Sequence, residues 1–480
     1  MASLVSEFRS RSQEIRARLN HPIIDSDGHT VQFIPTYLDF LKEVGGSKMV
    51  DRFEQIRPDT DWYRASPQER VEKRISRLGW WTLPTKNTLD RVTSTLPKLL
   101  YERLDEMGLD FTVLYPTLVG FYVHNPDEDM RLATCRAYNI CQADTFSDYS
   151  DRMTPVAVIP MHTPTEAIAE LEYAVRQLGM KAVVMPSYVL RPRVDFQGNW
   201  YDTFCLDSAY DYDPVWQKCL ELKVAPTFHS LTMGFGSRTS ISNFTYNHIG
   251  HFAASGEALC KAAFMGGVTR RFPKLPMAFL EGGVGWACSL YSDLLAHWKK
   301  RNKDAIRNYD PKNMDKELFW QLHRQYGGKL VEGRLEGQRN RDLAMYVGIA
   351  RLGPTEEAAE TIDDFAQCGI ERPEDLLQLF ISHFYFGCEA DDPINAWAFD
   401  SKKNPLGAQL QAIFSSDIGH WDVPDMRDIA REAYELVEDG LITEDDFRSF
   451  VFTNPLRLWT SLNPDFFKGT VIERDVGKFT

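Results

Sequence analysis

Two absences in this 480-residue sequence limit its possible partners. It has no long block of basic residues, and its net charge is −14, with 54 Lys and Arg against 68 Asp and Glu. Proteins that bind nucleic acid or anionic membrane surfaces need basic surfaces, so we expect neither partner. The sequence also contains no run of 18 apolar residues, which excludes a predicted membrane-spanning helix.

Cysteine motifs are also absent. The chain has only eight cysteines, and none of them forms a C-x-x-C pair. They are scattered among apolar residues, which is typical of reduced thiols in the core of a cytoplasmic protein. The first twenty residues are charged and lack an apolar segment, so no secretory signal is expected. These features predict a cytoplasmic location.

The chain does contain eight short β-rich segments, most of them apolar and each ending in polar or small residues. They lie at 22–29, 110–117, 154–161, 181–188, 224–230, 276–283, 380–388 and 411–418. Helical patterns separate most of them, for example at 129–148, 164–178, 213–222 and 256–271. Apolar strands that alternate with helices indicate a parallel sheet, and eight such units predict an α/β fold of the (β/α)8 TIM-barrel type. An open doubly wound sheet is the alternative, but polar residues at so many strand ends favour the barrel.

Two connections are too long for a plain barrel. We expect insertions at about 30–109 and 284–379, on the face of the barrel where the strands end. Residues 424–463 are predicted to form helices outside the barrel. Residues 464–480 are predicted to form a C-terminal tail that docks on a neighbouring subunit. The whole chain, 1–480, is thus interpreted as one elaborated domain.

Residues typical of metal ligands end three of the predicted strands. Asp27 and His29 end the first strand at alternate positions, so both side chains lie on one face, and Gly28 between them allows a close backbone turn. His229 ends the fifth strand and Asp417 the eighth. Each residue alone has a commoner structural explanation: a turn, a buried histidine or a helix cap. Their joint placement instead predicts a catalytic site for one divalent ion, with Zn²⁺ favoured over Mn²⁺ or Fe²⁺.

Three motifs carry a resemblance to a known family. They are IDSDGH at 24–29, RRFPKLPMAFLEGG at 270–283 and FSSDIGHWD at 414–422. From about residue 22 to 425 the chain resembles the amidohydrolase-related (amidohydrolase 2) family, in the branch of aminocarboxymuconate-semialdehyde decarboxylase-like metal enzymes. The resemblance implies a distorted (β/α)8 barrel, one metal held by Asp27, His29, His229 and Asp417, and a homodimer.

The chain departs from this family at Glu281. The well-known decarboxylases of the family carry a histidine before a Gly-Gly pair at the end of the sixth strand, where it acts as acid and base. Glu281 occupies that place here, before Gly282 and Gly283. A carboxyl group can replace the imidazole if burial raises its pKa, but it can also be a structural acceptor or a metal ligand. This departure weighs against decarboxylation and leaves hydrolysis open.

Five further residues are candidates with equally plausible structural roles. His251 could supply an imidazole base, and His248 could contact the substrate; the alternative is a surface or capping pair. Arg238 could bind a substrate carboxylate or form a loop salt bridge. Trp286 could line the site or belong to the core. His420 could contact the substrate and orient Asp417.

The function predicted from these residues is hydrolysis. A metal-activated water would attack a carbonyl-type centre of a small carboxylated or aromatic molecule. Glu281, His251 and Asp417 would move the protons. Non-oxidative decarboxylation in the same pocket is the first alternative. A catalytically inactive barrel used for binding is the second.

Overall fold

The eight predicted strands are all present. The computed structural model describes residues 9–55, 62–77, 79, 86–195, 197–309, 313, 315–333 and 363–478. We number the strands β1 (Ile24–Thr30), β2 (Phe111–Pro116), β3 (Met153–Pro155 and Ala157–Val158, interrupted at Val156), β4 (Val183–Pro186), β5 (Pro226–His229), β6 (Met277–Phe279), β7 (Phe384–Glu389) and β8 (Gln411–Ser415).

The strands form a closed parallel barrel. Each strand from β1 to β7 pairs with the next one in the sequence. Two backbone hydrogen bonds complete the ring just beyond β8: the His29 amide donates to the Ile418 carbonyl at 2.7 Å, and the Asp417 amide donates to the Asp27 carbonyl at 3.0 Å. The predicted (β/α)8 barrel is therefore confirmed, and the open sheet is excluded.

Helices surround the barrel. Those that follow β1 to β6 are Pro97–Met107, Glu128–Thr145, Pro164–Glu172, Asp213–Leu222, His251–Met265 and Gly285–Arg301. Several begin at residues suited to a helix start: Thr163 accepts a hydrogen bond from the Glu166 amide with Pro164 next to it, and Asp127 accepts one from Met130. The four predicted helical segments are confirmed, although the one expected at 256–271 begins earlier, at His251, and is divided before Val268–Arg271.

Each of the two long connections contains a helix of the barrel as well as additional helices. The first holds helices Ile34–Gly45, Ser47–Gln55, Pro67–Glu72 and Thr88–Thr93 before the barrel helix Pro97–Met107. The second begins with the barrel helix Gly285–Arg301 and continues with Lys316–Tyr326 and Pro373–Leu376. Residues 334–362 of the insertion predicted at about 284–379 lie outside the described residues. The sequence did not predict the antiparallel hairpin Val189–Pro192 with Asn199–Asp202, which follows β4.

The C-terminal part packs against the barrel of its own chain. Helices Ile429–Glu438, Glu444–Arg448 and Asn454–Thr460 cover the outside, as predicted, together with the N-terminal helix Arg11–Arg18. In the tail, Phe466 and Phe467 are buried against Phe111, and Lys181 donates to the Phe466 carbonyl at 2.6 Å. The aromatic residues of the tail thus complete the chain's own core, and docking of the tail on a neighbouring subunit stays a prediction.

The thiols agree with the sequence prediction. All eight cysteines are free, and all but Cys205 are buried. No helix in the described ranges has the length and hydropathy needed to cross a membrane.

One buried carboxylate joins the strands where the barrel closes. Asp25 is fully buried, and its Oδ1 accepts hydrogen bonds from the amides of Ser416 at 2.9 Å and Asp27 at 3.1 Å. Its Oδ2 accepts from the hydroxyls of Thr112 at 2.5 Å and Ser416 at 2.7 Å. These contacts connect β1 to β2 and to the residues that follow β8. The pairing register shifts between Asp25 and Gly28, a bulge that redirects the following side chains.

Gly28 is required beside this carboxylate. A Cβ atom at position 28 would lie 2.6 Å from Asp25 Oδ2 and 2.7 Å from Thr112 Oγ1. Any side chain would therefore break the hydrogen bonds of Asp25, and the close approach expected from the sequence is confirmed.

Replacing Asp25 should destabilise the whole barrel. Asp25→Ala removes the acceptor of two buried amides, and each unsatisfied group costs roughly 1–3 kcal/mol. We expect the free energy of unfolding, measured by urea denaturation, to fall by at least about 2 kcal/mol. Asp39→Ala, at an exposed position of helix Ile34–Gly45, is the control and should change it by less than about 0.5 kcal/mol. Equal effects of the two substitutions would contradict the role of Asp25.

Candidate metal centre

Four strand ends bring two histidines and three carboxylates together. Asp27 and His29 lie on β1, His229 is the last residue of β5, Glu281 follows β6 and Asp417 follows β8. All five are buried. Three of the four ligands implied by the resemblance, Asp27, His29 and His229, offer ligand atoms that lie within 4.8 Å of one another, and His29 does so again with Glu281, Asp417 and His420. His29 is thus common to both groups.

The distances describe one shared centre. His29 Nε2 lies 3.4 Å from Asp27 Oδ1 and 3.4 Å from Asp417 Oδ1. Glu281 Oε2 lies 4.0 Å from His29 Nε2 and 2.6 Å from His229 Nε2. Ligands from opposite sides of the barrel therefore converge above its central axis.

The donor atoms fit a bound cation. Both carboxylate oxygens of Asp27, Glu281 and Asp417 have no hydrogen-bond partner in the described part of the chain, and neither does Nε2 of His29 or His229. Even the close contact between His229 and Glu281 lacks the alignment of a hydrogen bond. Leaving so many buried polar atoms without partners costs several kcal/mol, and no lysine or arginine among the described residues forms an ion pair with these carboxylates. A divalent ion would give these atoms a partner and would balance the negative charge of the carboxylates.

Burial shifts the pKa values of the buried histidine and carboxylate in opposite directions. It lowers the pKa of His229 to about 3, so the imidazole is neutral and its nitrogen is free to bind a metal. Burial also raises the pKa of Asp27 well above its usual range, with a further increase from the charge of Glu281. A bound cation would oppose this increase by favouring the ionised carboxylates.

The backbone at two of these residues adopts a conformation that is rare outside glycine. Glu281 has φ of 56° and Asp417 has φ of 50°, both in the left-handed region. Such strain, roughly 1–3 kcal/mol per residue, is often found where a side chain must be aimed at a functional site. Gly282, the next residue, lies so close to helix His251–Met265 that a Cβ atom there would be 3.1 Å from the Ala253 backbone. The sharp turns direct both carboxyl groups back towards the centre.

Two more of the predicted site residues lie beside these ligands. His420 Nδ1 is 2.6 Å from Asp417 Oδ1, and its ring stacks on His29 with centroids 3.8 Å apart. His248 Nε2 is 3.9 Å from Glu281 Oε1. Both side chains are partly exposed, at 15 % and 17 %, so they form the boundary between the buried centre and the mouth of the barrel.

Trp286 lies next to the turn that carries Glu281. Its indole packs edge-on against Phe279 and Phe386, and its Nε1 is 2.9 Å from the position that a Cβ of Gly282 would occupy. The ring therefore supports the Glu281 turn, while the substrate contact predicted from the sequence is not tested by this packing.

The structure does not bring His251 and Arg238 into the centre. Both ring nitrogens of His251 are engaged: Nδ1 accepts from the Phe235 amide at 3.3 Å, and Nε2 contacts Ser230 Oγ at 2.9 Å. Arg238 donates from Nε to the Ile249 carbonyl at 3.0 Å on the exposed side of the loop. His251 therefore organises the loop after β5, and the predicted catalytic and carboxylate-binding roles have no support in these contacts.

Asp422 was missed by the sequence prediction. Its charge raises the pKa of Asp417 and of Glu281, second to burial in both cases, and its Oδ1 is buried without a hydrogen-bond partner in the described ranges. Glu389 at the end of β7 also faces these charges, and burial raises its pKa to about 8. The spacing Asp417, His420, Asp422 was the available signal, since the turn after β8 presents all three to one side.

Metal binding should stabilise the fold. We expect wild-type protein treated with EDTA to unfold at a lower temperature than the same protein supplied with Zn²⁺ or Mn²⁺, since a ligand at 100 times its Kd adds about 2.7 kcal/mol. Asp27→Asn and His229→Gln should lose most of this difference in thermal unfolding. His297→Gln changes an exposed histidine of helix Gly285–Arg301 and should keep the full difference in unfolding temperature. An unchanged unfolding temperature of the wild type in EDTA and in metal would contradict the site.

Comparison with known proteins finds a family match and similar structures. Residues 96–306 match the family model described as amidohydrolase. The structure resembles that of an amidohydrolase from Mycobacterium avium subsp. paratuberculosis, with a TM-score of 0.51 and 15 % identity over 92 % of this chain and 100 % of that one. This likeness confirms the barrel fold.

Two decarboxylases share the same overall arrangement at lower scores. The 2,6-dihydroxybenzoate decarboxylase from Rhizobium has a TM-score of 0.48 and 15 % identity, over 92 % of this chain and 99 % of that one. A dihydroxybenzoic acid decarboxylase from Polaromonas sp. JS666, solved with manganese and the inhibitor 2-nitroresorcinol, has a TM-score of 0.48 and 14 % identity, over 92 % and 97 %. The family match over residues 96–306 agrees with the resemblance predicted from the sequence.

Proposed function

We propose that this protein is a metal-dependent carboxy-lyase, which removes carbon dioxide without oxidation from a small carboxylic acid. The observation that carries the proposal is the position of Glu281, whose side chain is 2 % exposed and faces the predicted ligands from the end of β6. A carboxyl group buried among other carboxylates favours its protonated form, so Glu281 can donate a proton. Decarboxylation needs such a donor, because the carbon that loses carbon dioxide must gain a proton.

The metal is part of the proposal. Asp27, His29, His229 and Asp417 would hold one divalent ion, which when bound would supply positive charge to attract the carboxylate of the substrate. Imidazole and carboxylate donors suit Zn²⁺, Mn²⁺ and Fe²⁺ alike. Zinc remains the prediction from the sequence, and metal analysis of the purified protein decides among the three.

The residues around Glu281 define the proton path. The bond between the carboxyl group and its carbon breaks, the electron pair stays on that carbon, and the carbon takes the proton from Glu281. His248, 3.9 Å from Glu281 and partly exposed, is placed to return a proton from solvent. The ring of His248 meets those of Phe252 and Trp421 edge to face, with centroids 5.6 and 5.4 Å away, which suits a flat substrate. The hydroxylated benzoic acids of the two similar decarboxylases fit this description and serve as first test compounds.

Hydrolysis, the main prediction from the sequence, is the second candidate. One contact favours it: His420 Nδ1 lies 2.6 Å from Asp417 Oδ1, and such an aspartate–histidine pair can accept a proton from water. The same small molecule would then gain water at a carbonyl-type centre and keep its carboxyl group. Product analysis separates the two reactions.

We also propose that the enzyme works in a reducing compartment such as the cytoplasm, and eight free cysteines support this. A small molecule is the expected substrate. The homodimer implied by the family resemblance stays a prediction that light scattering can check.

Decarboxylation should be visible in heavy water. Metal-loaded protein is incubated in D₂O with a panel of hydroxybenzoic acids, and carbon dioxide and products are measured by mass spectrometry. We expect release of carbon dioxide and one deuterium on the carbon that lost it. Glu281→Gln keeps the size of the side chain but cannot donate the proton, so kcat should fall by about 10²-fold or more.

Glu257→Gln is the matched control for this experiment. Glu257 pairs with Lys261 on the outer face of helix His251–Met265, and its loss should leave kcat unchanged. Both variants should retain the metal content of the wild type. A product that has gained water and kept its carboxyl group would support hydrolysis, and an unchanged kcat in Glu281→Gln would contradict the proposed proton donor.

A further inference from the structure

The loop after β5 is fastened to the first long connection at Asn247. Asn247 is 1 % exposed and uses both ends of its amide: Oδ1 accepts from the Ser240 amide at 2.6 Å, and Nδ2 donates to the Ser240 carbonyl at 2.8 Å and to the Arg77 carbonyl at 3.1 Å. The Arg77 amide donates back to the Ser240 carbonyl at 2.8 Å. One side chain therefore joins two segments that are 170 residues apart in the sequence.

A second contact joins the same two segments. The Trp62 indole donates to the Ile241 carbonyl at 3.0 Å. Its ring is stacked by the guanidinium groups of Arg70, 3.6 Å from the ring centroid, and Arg77, at 4.0 Å. Cation–π contacts on this ring hold residues 62–77 together. The loop at 240–247 thus packs against residues 62–77 rather than being exposed to solvent on that side.

The next residue along the chain is His248. It ends the short helix Phe244–His248, with Nε2 3.9 Å from Glu281 Oε1 and its ring against Trp421. Since Asn247 and His248 are neighbours, any displacement of Asn247 displaces the histidine that faces the proposed proton donor. A shift of about 1 Å in such a group can lower turnover by as much as 10²-fold.

We propose that Asn247 is a positioning residue, through which the first long connection holds His248 against Glu281. The contribution to turnover rests on the proposed function, whereas the fastening of the loop does not. Asn247 touches neither the predicted metal ligands nor Glu281 in the contacts described above, so its loss should leave metal binding intact. This role distinguishes it from the ligands themselves.

The test compares Asn247→Ala with a matched control, Asn139→Ala. Asn139 is equally buried and also makes three hydrogen bonds, with the Val158 amide and carbonyl and with Glu170, but it lies on helix Glu128–Thr145 behind β3. We expect both variants to unfold at a lower temperature and to keep the metal content of the wild type. Only Asn247→Ala should lower kcat, by about tenfold or more.

Hydrogen–deuterium exchange provides a readout that needs no substrate. In Asn247→Ala, amides in residues 62–77 and 232–250 should exchange faster, whereas in Asn139→Ala faster exchange should occur around β3. Trp62→Phe keeps the stacked ring but loses the bond to Ile241, and it should show the same pattern as Asn247→Ala more weakly. If Asn247→Ala does not fold, Trp62→Phe takes its place in both the exchange and the kcat measurements.

The outcomes separate this inference from the proposed function. Unchanged exchange at 232–250 in the variants of both Asn247 and Trp62 would overturn the fastening. Faster exchange with kcat equal to that of Asn139→Ala would overturn the positioning role. If the wild type decarboxylates none of the test compounds, the proposed function fails while the exchange data still decide the fastening.

Discussion

The barrel and its site both depend on the buried carboxylate of Asp25. Its four hydrogen bonds reach β1, β2 and the residues after β8, which are the three parts of the chain that meet where the barrel closes. Because this closure fixes the bulge before Gly28, it also decides where Asp27 and His29 point. The first and last strands supply three of the four proposed ligands, so without closure the site would have no common centre. The stability of the barrel and the geometry of the proposed site are therefore coupled at Asp25.

The negative charge of the centre is not balanced by any lysine or arginine among the described residues. Three carboxylates and two imidazoles point at one another without hydrogen bonds in the described ranges, and Asp422 adds further negative charge nearby. A cation lowers the energy of such an arrangement more than any rearrangement of the side chains could, since the ligands are held by strand ends and strained turns. The same crowding of negative charge favours a protonated Glu281, which is the state that the proposed proton donation requires. Under the proposed function, decarboxylation uses Glu281, whereas hydrolysis would use the pair of Asp417 and His420.

The connections outside the barrel also contribute to the site. Residues 62–77 form a surface stabilised by the stack of Arg70, Trp62 and Arg77, and the loop that carries His248 is fastened to it. Loops after barrel strands are otherwise only loosely restrained, because they lack the hydrogen-bonded ladder of the sheet. A long connection thus provides the restraint that the barrel cannot. The C-terminal tail also packs against the barrel, where Phe466 and Phe467 are buried in the core.

The sequence by itself determined the eight strands, the barrel and the residues at the strand ends. Strand periodicity and local helix starts are properties of short segments, and the proposed ligands Asp27, His29, His229 and Asp417 follow from residue type and position at those ends. The tertiary structure alone decided which residues around the loop after β5 face the centre. His248 and His251 are three residues apart, yet one faces Glu281 and the other bonds to Ser230, because the left-handed turn at Gly250 separates them. The packing of Phe466 and Phe467 and the hydrogen bonds of Asn247 likewise depend on contacts between distant segments, which no local pattern encodes.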